Sequence, residues 1–483
     1  MSDRSEPASN TPSFNQSFHQ YSLEDWQAIA TKSLRGDALA SLSHTSANGL
    51  SIDPLYTSRP EATNNIPPSP LQRWDNRLAV LGHSANEQNA SLLAGLRGGV
   101  SSAQIQLDYP EQQSPVNTDQ LASVLKNVQL DIIPISVMAG SRFVKAAKQI
   151  ESIWSRQNVN AETAFASFNA DPIGTLASCG KLATELETLL ADMTKLAQHS
   201  HNTFPHVKTV CVNSTCYHNA GASLEQELVA SIATAAAYMQ TMLDAGMDAQ
   251  SAHDAITFQV ACDADTLVNV VKLRTLKALW HHLANHLGVV QATLQLVVET
   301  SLRMQSRNQP WLNHLRNVSA AAAAAMGCAQ SIIVHPHNYI DGVFVDDDVE
   351  LSARVARNIA IILSEESAIT FVHDPMGGSY TIENLTSTLC NSTWLALQQL
   401  ENDGGLIQAL TSGQWQSQIA ASQKQRVTRL HEELDVQVAV NRYTLTSPEA
   451  TKQAKQSTQS RQVFEPTQKL RTVREAAEFE AAS

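Results

Sequence analysis

Charge is scarce in this chain. Only 16% of its 483 residues are Asp, Glu, Lys or Arg, and the balance is negative, at −13. A surface of that sign excludes phosphate neutralisation on any scale, so nucleic acid is not an expected partner. A small anionic ligand is not excluded, because it needs only a local cluster of cations. Apolar runs of membrane length are also missing. The longest, SAAAAAAMGCA at 319–329, is too short and too small-sided to span a bilayer. The opening MSDRSEPASNTPSFNQSF lacks the apolar core of a secretory signal. Six cysteines are scattered along the chain, mostly within apolar runs, a pattern of reduced thiols rather than a disulfide framework. Together these absences predict a cytoplasmic protein that does not enter a membrane. The catalytic signatures GxGxxG after a strand, GxxxxGK[ST], HExxH and CxxC are absent too.

What is present is a generous core, with 43% hydrophobic residues, organised by rhythm. Residues 1–20 are rich in Ser, Asn and Gln and are expected to be disordered. An N-terminal arm, 21–75, comprises a helix, EDWQAIATKSLRG, then extended GLSIDPLYT (49–57) and a Pro- and Asn-rich link, RPEATNNIPPSP. From there short apolar runs alternate with helical patterns. The strand candidates are SAQIQLD (102–108), DIIPISV (131–137), TAFASFN (163–169), VKTVCVNS (207–214), ITFQVAC (256–262), TLQLVVETS (293–301), QSIIVHP (330–336) and AITFVHD (368–374). Most lack clean alternation, as parallel strands buried on both faces do. Eight strands, each followed by a helix, predict an α/β fold, a (β/α)8 TIM-type barrel over 76–405, with the N-terminal arm before it. An open doubly wound sheet is the alternative, disfavoured by the even count and the missing nucleotide fingerprint. Residues 406–483 read as a helical tail in which SQIAASQKQRVTRLHEELDV makes a solvated helix.

In a barrel the strand C-termini carry function. NSTCYHNAGASLEQEL (213–228) starts at such an end and runs into a helix. Tyr217 and His218 there have the donors to hold a carbonyl, or they form a structural pair in a loop. His335 and His337 bracket Pro336 at the end of the seventh strand candidate, a position that suits binding. His282 and His286 stand at i, i+4 on a helix, which is metal-ligand spacing, but a third ligand and a base are lacking, so a solvated helix end is expected and no metal.

Several segments taken together resemble the acyl-CoA mutase family, that of adenosylcobalamin-dependent methylmalonyl-CoA mutase. They are GLSIDPLYT, YHNAGASLEQEL, KLRTLKALW (272–280), PWLNHLRNVSAAAAAAMG (310–327), RVARNIAIILSEES (354–367) and DPMGGSYTIENLT (374–386), in order along the chain. The resemblance implies a barrel that takes acyl-CoA along its axis, with a separate Rossmann-like domain holding adenosylcobalamin over its mouth. It also implies, in many bacterial enzymes, a heterodimer of a catalytic large chain and an inactive small one.

The departures point to the small, non-catalytic chain. Where catalytic chains have RPWTIRQYAG, this one has QRWDNRLAVLG (72–82), with Ala79 at the place of the substrate-contacting tyrosine. Their TIQND segment is replaced by FNADPIGTLA (168–177), and their THxQTSGxSLT by VETSLRMQSRNQPW (298–311). Only the Tyr217–His218 pair is retained, and one pair does not replace a preorganised site. The cobalt-ligating DxHxxG string does not occur, and VFEPTQKLRTVRE looks like the start of a shortened linker to that domain. The expectation is therefore a barrel-only small subunit, without catalytic residues of its own, supporting a large catalytic subunit that binds adenosylcobalamin and interconverts (R)-methylmalonyl-CoA and succinyl-CoA. Two rival expectations remain. One is a catalytic barrel served by a separately encoded cobalamin domain, with Tyr217 and His218 acting on the thioester carbonyl. The other is a non-enzymatic acyl-CoA-binding barrel with Arg73, Arg77, Arg97 and Arg142 as candidates for a basic entrance.

Overall fold

A computed structural model describes residues 21–60, 73–107, 116–180, 182, 184–340, 343–344, 348–444 and 469–480. The expected disorder of 1–20, most of the Pro-rich link and the first part of the linker-like ending, 463–468, fall outside the described residues.

Eight parallel strands close into a barrel: β1 Asp75–Val80, β2 Ser102–Gln106, β3 Ile135–Met138, β4 Ala166–Ala170, β5 Lys208–Asn213, β6 Ile256–Cys262, β7 Leu296–Thr300 and β8 Ser331–Ile333. β8 pairs with both β7 and β1, so no edge is left. Side chains alternate along each strand. Ile105, Val137, Phe168, Val210, Phe258 and Val298 face outward and are buried against the surrounding helices. The inward set is unusually polar for a barrel, which ordinarily fills its axis with branched apolar residues. Asn169 on β4 donates to Ser136 on β3 at 2.7 Å, and Gln259 on β6 donates to Glu299 on β7 at 3.0 Å.

Seven of the eight expected strands are barrel strands. The eighth, AITFVHD, is not. Ile369–Phe371 is a single 3-10 turn that follows Ala368 in a left-handed conformation, and Phe371 and Val372 are exposed. The missing strand is β1, DNRLAV. Its inward Asp75 and Arg77 disguise it, since a strand carrying two charges does not read as an apolar run. Gln414–His431 is likewise no solvated helix: Trp415, Ile419, Val427 and Leu430 are buried, and so are its polar Gln423 and Arg426. It approaches the barrel closely at Gly221 (φ +101°), where a side chain would collide with Gln423.

In the arm, His44–Thr45 pairs antiparallel with Ser51–Ile52. Before it, the helix Leu23–Ser33 is closed by a Ser22–Asp25 capping box yet buries none of its residues. No helix among the described residues is long and apolar enough to cross a membrane.

This strand register is testable by truncation. Ile332→Ala in β8 is expected to destabilise by about 2–5 kcal/mol, whereas Phe371→Ser should stay within about 0.5 kcal/mol, both read from chemical denaturation.

Candidate functional site

The C-terminal mouth is built around the turn that ends β5. Asn213 Oδ1 accepts from the Thr215 amide at 3.1 Å and its hydroxyl at 2.7 Å, folding the chain into the short helix Thr215–Asn219. That turns Tyr217 and His218 into the body, where both are buried. His218 Nδ1 lies 3.1 Å from Glu227 Oε2, and Nε2 lies 2.8 Å from Ser301 Oγ. Glu227, in the first turn of the helix Leu224–Asp244, also accepts from Lys272 Nζ at 3.1 Å and from Ser214 Oγ at 3.2 Å.

The charges on this cluster follow from its surroundings. Burial, with help from Arg303, pushes His218 down to about 4 against the pull of Glu227. Burial alone would raise Glu227, but Lys272 and His218 outweigh it and hold the carboxyl down to about 2. At neutral pH the cluster is thus a neutral imidazole beside an ionised Glu227. A carboxylate can only accept, so Nδ1 carries the proton and Nε2 accepts from the Ser301 hydroxyl. Burial drives the Tyr217 hydroxyl well above its ordinary range. The imidazole therefore has no N–H left to offer a carbonyl.

Residues 469–480 lie across this mouth. The Leu470 amide donates to Ala177 O, that of Val473 to Asn219 O and that of Glu475 to Arg303 O, which ties the segment to the loops after β4, β5 and β7. Glu475 pairs with Arg426 at 2.6 Å and lies 3.6 Å from Arg303, while Arg474 pairs with Glu480 at 2.8 Å. Arg303 is itself buried and bonds Asp263 at 3.0 Å and the carbonyls of His218 and Ala222.

The opposite, N-terminal end holds a cavity of about 1410 Å³, lined among others by Arg73, Arg77, Lys208, Lys277, Trp74 and Phe165. Its floor is an ion pair: Arg77 Nη2 meets Asp75 Oδ2 at 2.9 Å. Asp75 also accepts hydroxyls from Ser101 at 2.6 Å, from Ser331 at 3.0 Å and from Ser102. Burial would raise this carboxyl, but Arg77 and the three serines hold it below its ordinary value. Burial lowers Lys277 to about 8 and also lowers Lys208. None of the residues lining the cavity comes from the Tyr217–His218 cluster.

The remaining candidates do not join either group into one centre. Arg73 and Arg77 share the cavity, but Arg97 and Arg142 do not line it. Ala79, two residues beyond Arg77 on β1, is in register with Gln104. His335 stands 3.7 Å from Glu299, whereas His337 stacks against Trp311 and His314. His282 and His286 sit ring to ring at 4.4 Å on the rim of their helix, with His282 against Trp394. No three His, Cys, Asp or Glu converge in metal-binding geometry among the described residues. Sequence reading found His218 but not Glu227, Lys272 or Ser301. The first two lay inside the family-like segments without a periodicity to single them out.

The sequence model of methylmalonyl-CoA mutase matches residues 71–482. The chain is 32% identical over 403 residues to the methylmalonyl-CoA mutase small subunit of Streptomyces virginiae, covering 80% of this chain and 64% of that protein. It is 31% identical over 365 residues to the small subunit of Propionibacterium freudenreichii subsp. shermanii, covering 74% and 55% respectively. To the methylmalonyl-CoA mutase of Cereibacter sphaeroides it is 24% identical over 460 residues, covering 88% of this chain and 64% of that one. The alignments thus span between 55% and 64% of these relatives' lengths.

The buried imidazole predicts acid sensitivity. His218 has a folded value of about 4, below its ordinary 6.5, so the unfolded state takes up the proton first. Stability should therefore be full above pH 6.5 and fall as the pH drops towards 4. Depressed Glu227 adds a further loss below its ordinary 4.5. Denaturation midpoints measured from pH 7 to 4 should decline in the native chain and decline less in His218→Gln.

Proposed function

The chain belongs to the methylmalonyl-CoA mutase family, and from that premise we propose that it is the supporting small chain of an adenosylcobalamin-dependent, cytoplasmic mutase. Its partner on this reading is a large catalytic subunit that interconverts (R)-methylmalonyl-CoA and succinyl-CoA. The chain contributes assembly and stability, and the chemistry proceeds in the partner. One observation carries this: the pair that matches the family's substrate-facing residues is buried with both imidazole nitrogens engaged. A substrate carbonyl would need a donor, and His218 Nε2 is an acceptor here.

The residues at the C-terminal mouth do not fit a corrinoid. The loops after β4, β5 and β7 already bind residues 469–480, and Ser301 takes Nε2 of His218. This supports assigning the cofactor to the partner, where it would supply the radical that starts rearrangement.

The arm supports the assembly role. An 11-residue helix is marginal by itself in water, and Leu23–Ser33 buries no residue on its own chain. Its exposed Leu23 and Ile29 suit a partner's apolar groove. A permanent pair of chains of this size should bury more than about 2,000 Å².

A second reading, an acyl-CoA-binding barrel, is favoured by the four cations Arg73, Arg77, Lys208 and Lys277 around one cavity. Calorimetric titration with a coenzyme A thioester separates the two. Tight binding by the isolated chain supports the second reading, and its absence leaves the first.

Co-expression with a family large subunit provides the direct test. The two chains should co-purify and turn over substrate with adenosylcobalamin, and His218→Gln should keep turnover within about twofold of the native complex. A collapse of turnover in an intact His218→Gln complex would refute the silent role. Deleting residues 1–36 should weaken co-purification while leaving the melting temperature of the isolated chain within about 2 °C.

A further inference from the structure

The mouth of this barrel is closed by its own chain, and the closure has the construction of a latch. We propose that residues 469–480 are an intramolecular strap that seals the C-terminal mouth over Tyr217 and His218, locked by Glu475 between Arg303 and Arg426 and by the Arg474–Glu480 pair.

The anchoring is distributed over three loops rather than one. Main-chain amides of Leu470, Val473 and Glu475 bond carbonyls of Ala177, Asn219 and Arg303 respectively. Asn219 is the residue next to His218, so the middle anchor sits directly on the site. The inward side chains of the strap are Leu470, Arg474, Ala476 and Glu480, all buried, while Arg471, Thr472, Ala477 and Glu478 face outward. At the far end Glu480 accepts from the Arg307 amide at 2.5 Å, and Phe479 stacks on His431 at 4.4 Å.

The strap is separable from what it covers. If it lifts, Arg303 keeps Asp263 at 3.0 Å and the carbonyls of His218 and Ala222. The His218–Glu227–Lys272 cluster loses no bond, because none of its partners lies on the strap. Lifting therefore removes Glu475 from two buried guanidinium groups without dismantling the site, which is the condition for a local opening below the global unfolding free energy. Arg426 is the residue left most exposed to the loss, retaining only Ala47 O and Asn48 from the arm hairpin. Any body that docks on this mouth must displace the strap and present an anion to Arg303 and Arg426 in place of Glu475. The recognition chemistry of the opened mouth is thus that of a carboxylate or phosphate group.

Hydrogen–deuterium exchange with mass spectrometry on the full chain tests this. In the native protein, peptides within 469–480 should exchange at least about 100-fold more slowly than a free peptide, and Glu475→Gln should raise exchange about tenfold in 469–480, with 215–222 and β6 (256–262) unchanged because no amide of 215–222 bonds the strap. Val473→Pro, which removes the amide bonded to Asn219, should give the same pattern if Glu475→Gln folds poorly. Free-peptide exchange of 469–480 in the native chain would overturn the strap. Exchange in 215–222 that rises together with 469–480 would overturn the separability of strap and site. Exchange that rises everywhere at once, β6 included, would show that strap and barrel open as one unit and would overturn the latch.

Discussion

A single half-buried carboxylate, Asp75, joins the seam of the barrel to the floor of its N-terminal cavity. An ionised group taken out of water costs several kcal/mol unless its charge is matched and its lone pairs are filled. Asp75 meets that condition with Arg77 from its own strand, Ser101 and Ser102 from the start of β2, and Ser331 from β8. The first strand is thereby bonded to both neighbours through one side chain, at the seam where the last strand returns to the first. Asp75, Arg77, Ser101 and Ser331 also line the N-terminal cavity.

The other end of the axis is filled by the same principle with different residues. Glu227 is matched by Lys272, bonded by Ser214 and set against His218, and Arg303 is matched by Asp263. Between the two ends the inward residues bridge neighbouring strands, Asn169 to Ser136 and Gln259 to Glu299. A barrel interior in which polar groups satisfy one another is rigid and specific in geometry, because each unmet group would be costly. Beyond the Tyr217 hydroxyl and the His335 ring nitrogens, which are buried and make no hydrogen bond, it has little to spare for a substrate. A supporting role in an assembly follows more readily from such an interior than a catalytic one, which needs donors held unspent until the transition state forms.

The barrel was legible because outward residues such as Ile105, Val137, Phe258 and Val298 give each strand an apolar signature, and the glycine- or turn-ended helices between them set the rhythm. Legibility failed where a strand's inward residues are charged. Asp75 and Arg77 hid β1, and AITFVHD, apolar but outside a barrel already closed by β8, took its place in the count. The helix Gln414–His431 looked solvated because Gln423 and Arg426 occupy its buried face. For the site, the position of Tyr217 and His218 could be read from the end of β5, but what they touch could not. Ser301 is 83 residues from His218 and Lys272 is 45 from Glu227, and only the closed barrel brings them together. Of the cavity at the opposite end the sequence showed only Arg73 and Arg77, since its other cations, Lys208 and Lys277, come from segments far along the chain.

The protonation pattern of His218 reports directly on whether this barrel can address a substrate. Imidazole 15N NMR of the full chain, with and without excess of a non-hydrolysable coenzyme A thioester analogue, measures it. The expected result is a neutral ring with the proton on Nδ1 and a bare Nε2 in both samples. A ligand-dependent transfer of the proton to Nε2, or a charged ring in the complex, would mean that the imidazole is free to grip a carbonyl, and would contradict the silence proposed for this barrel.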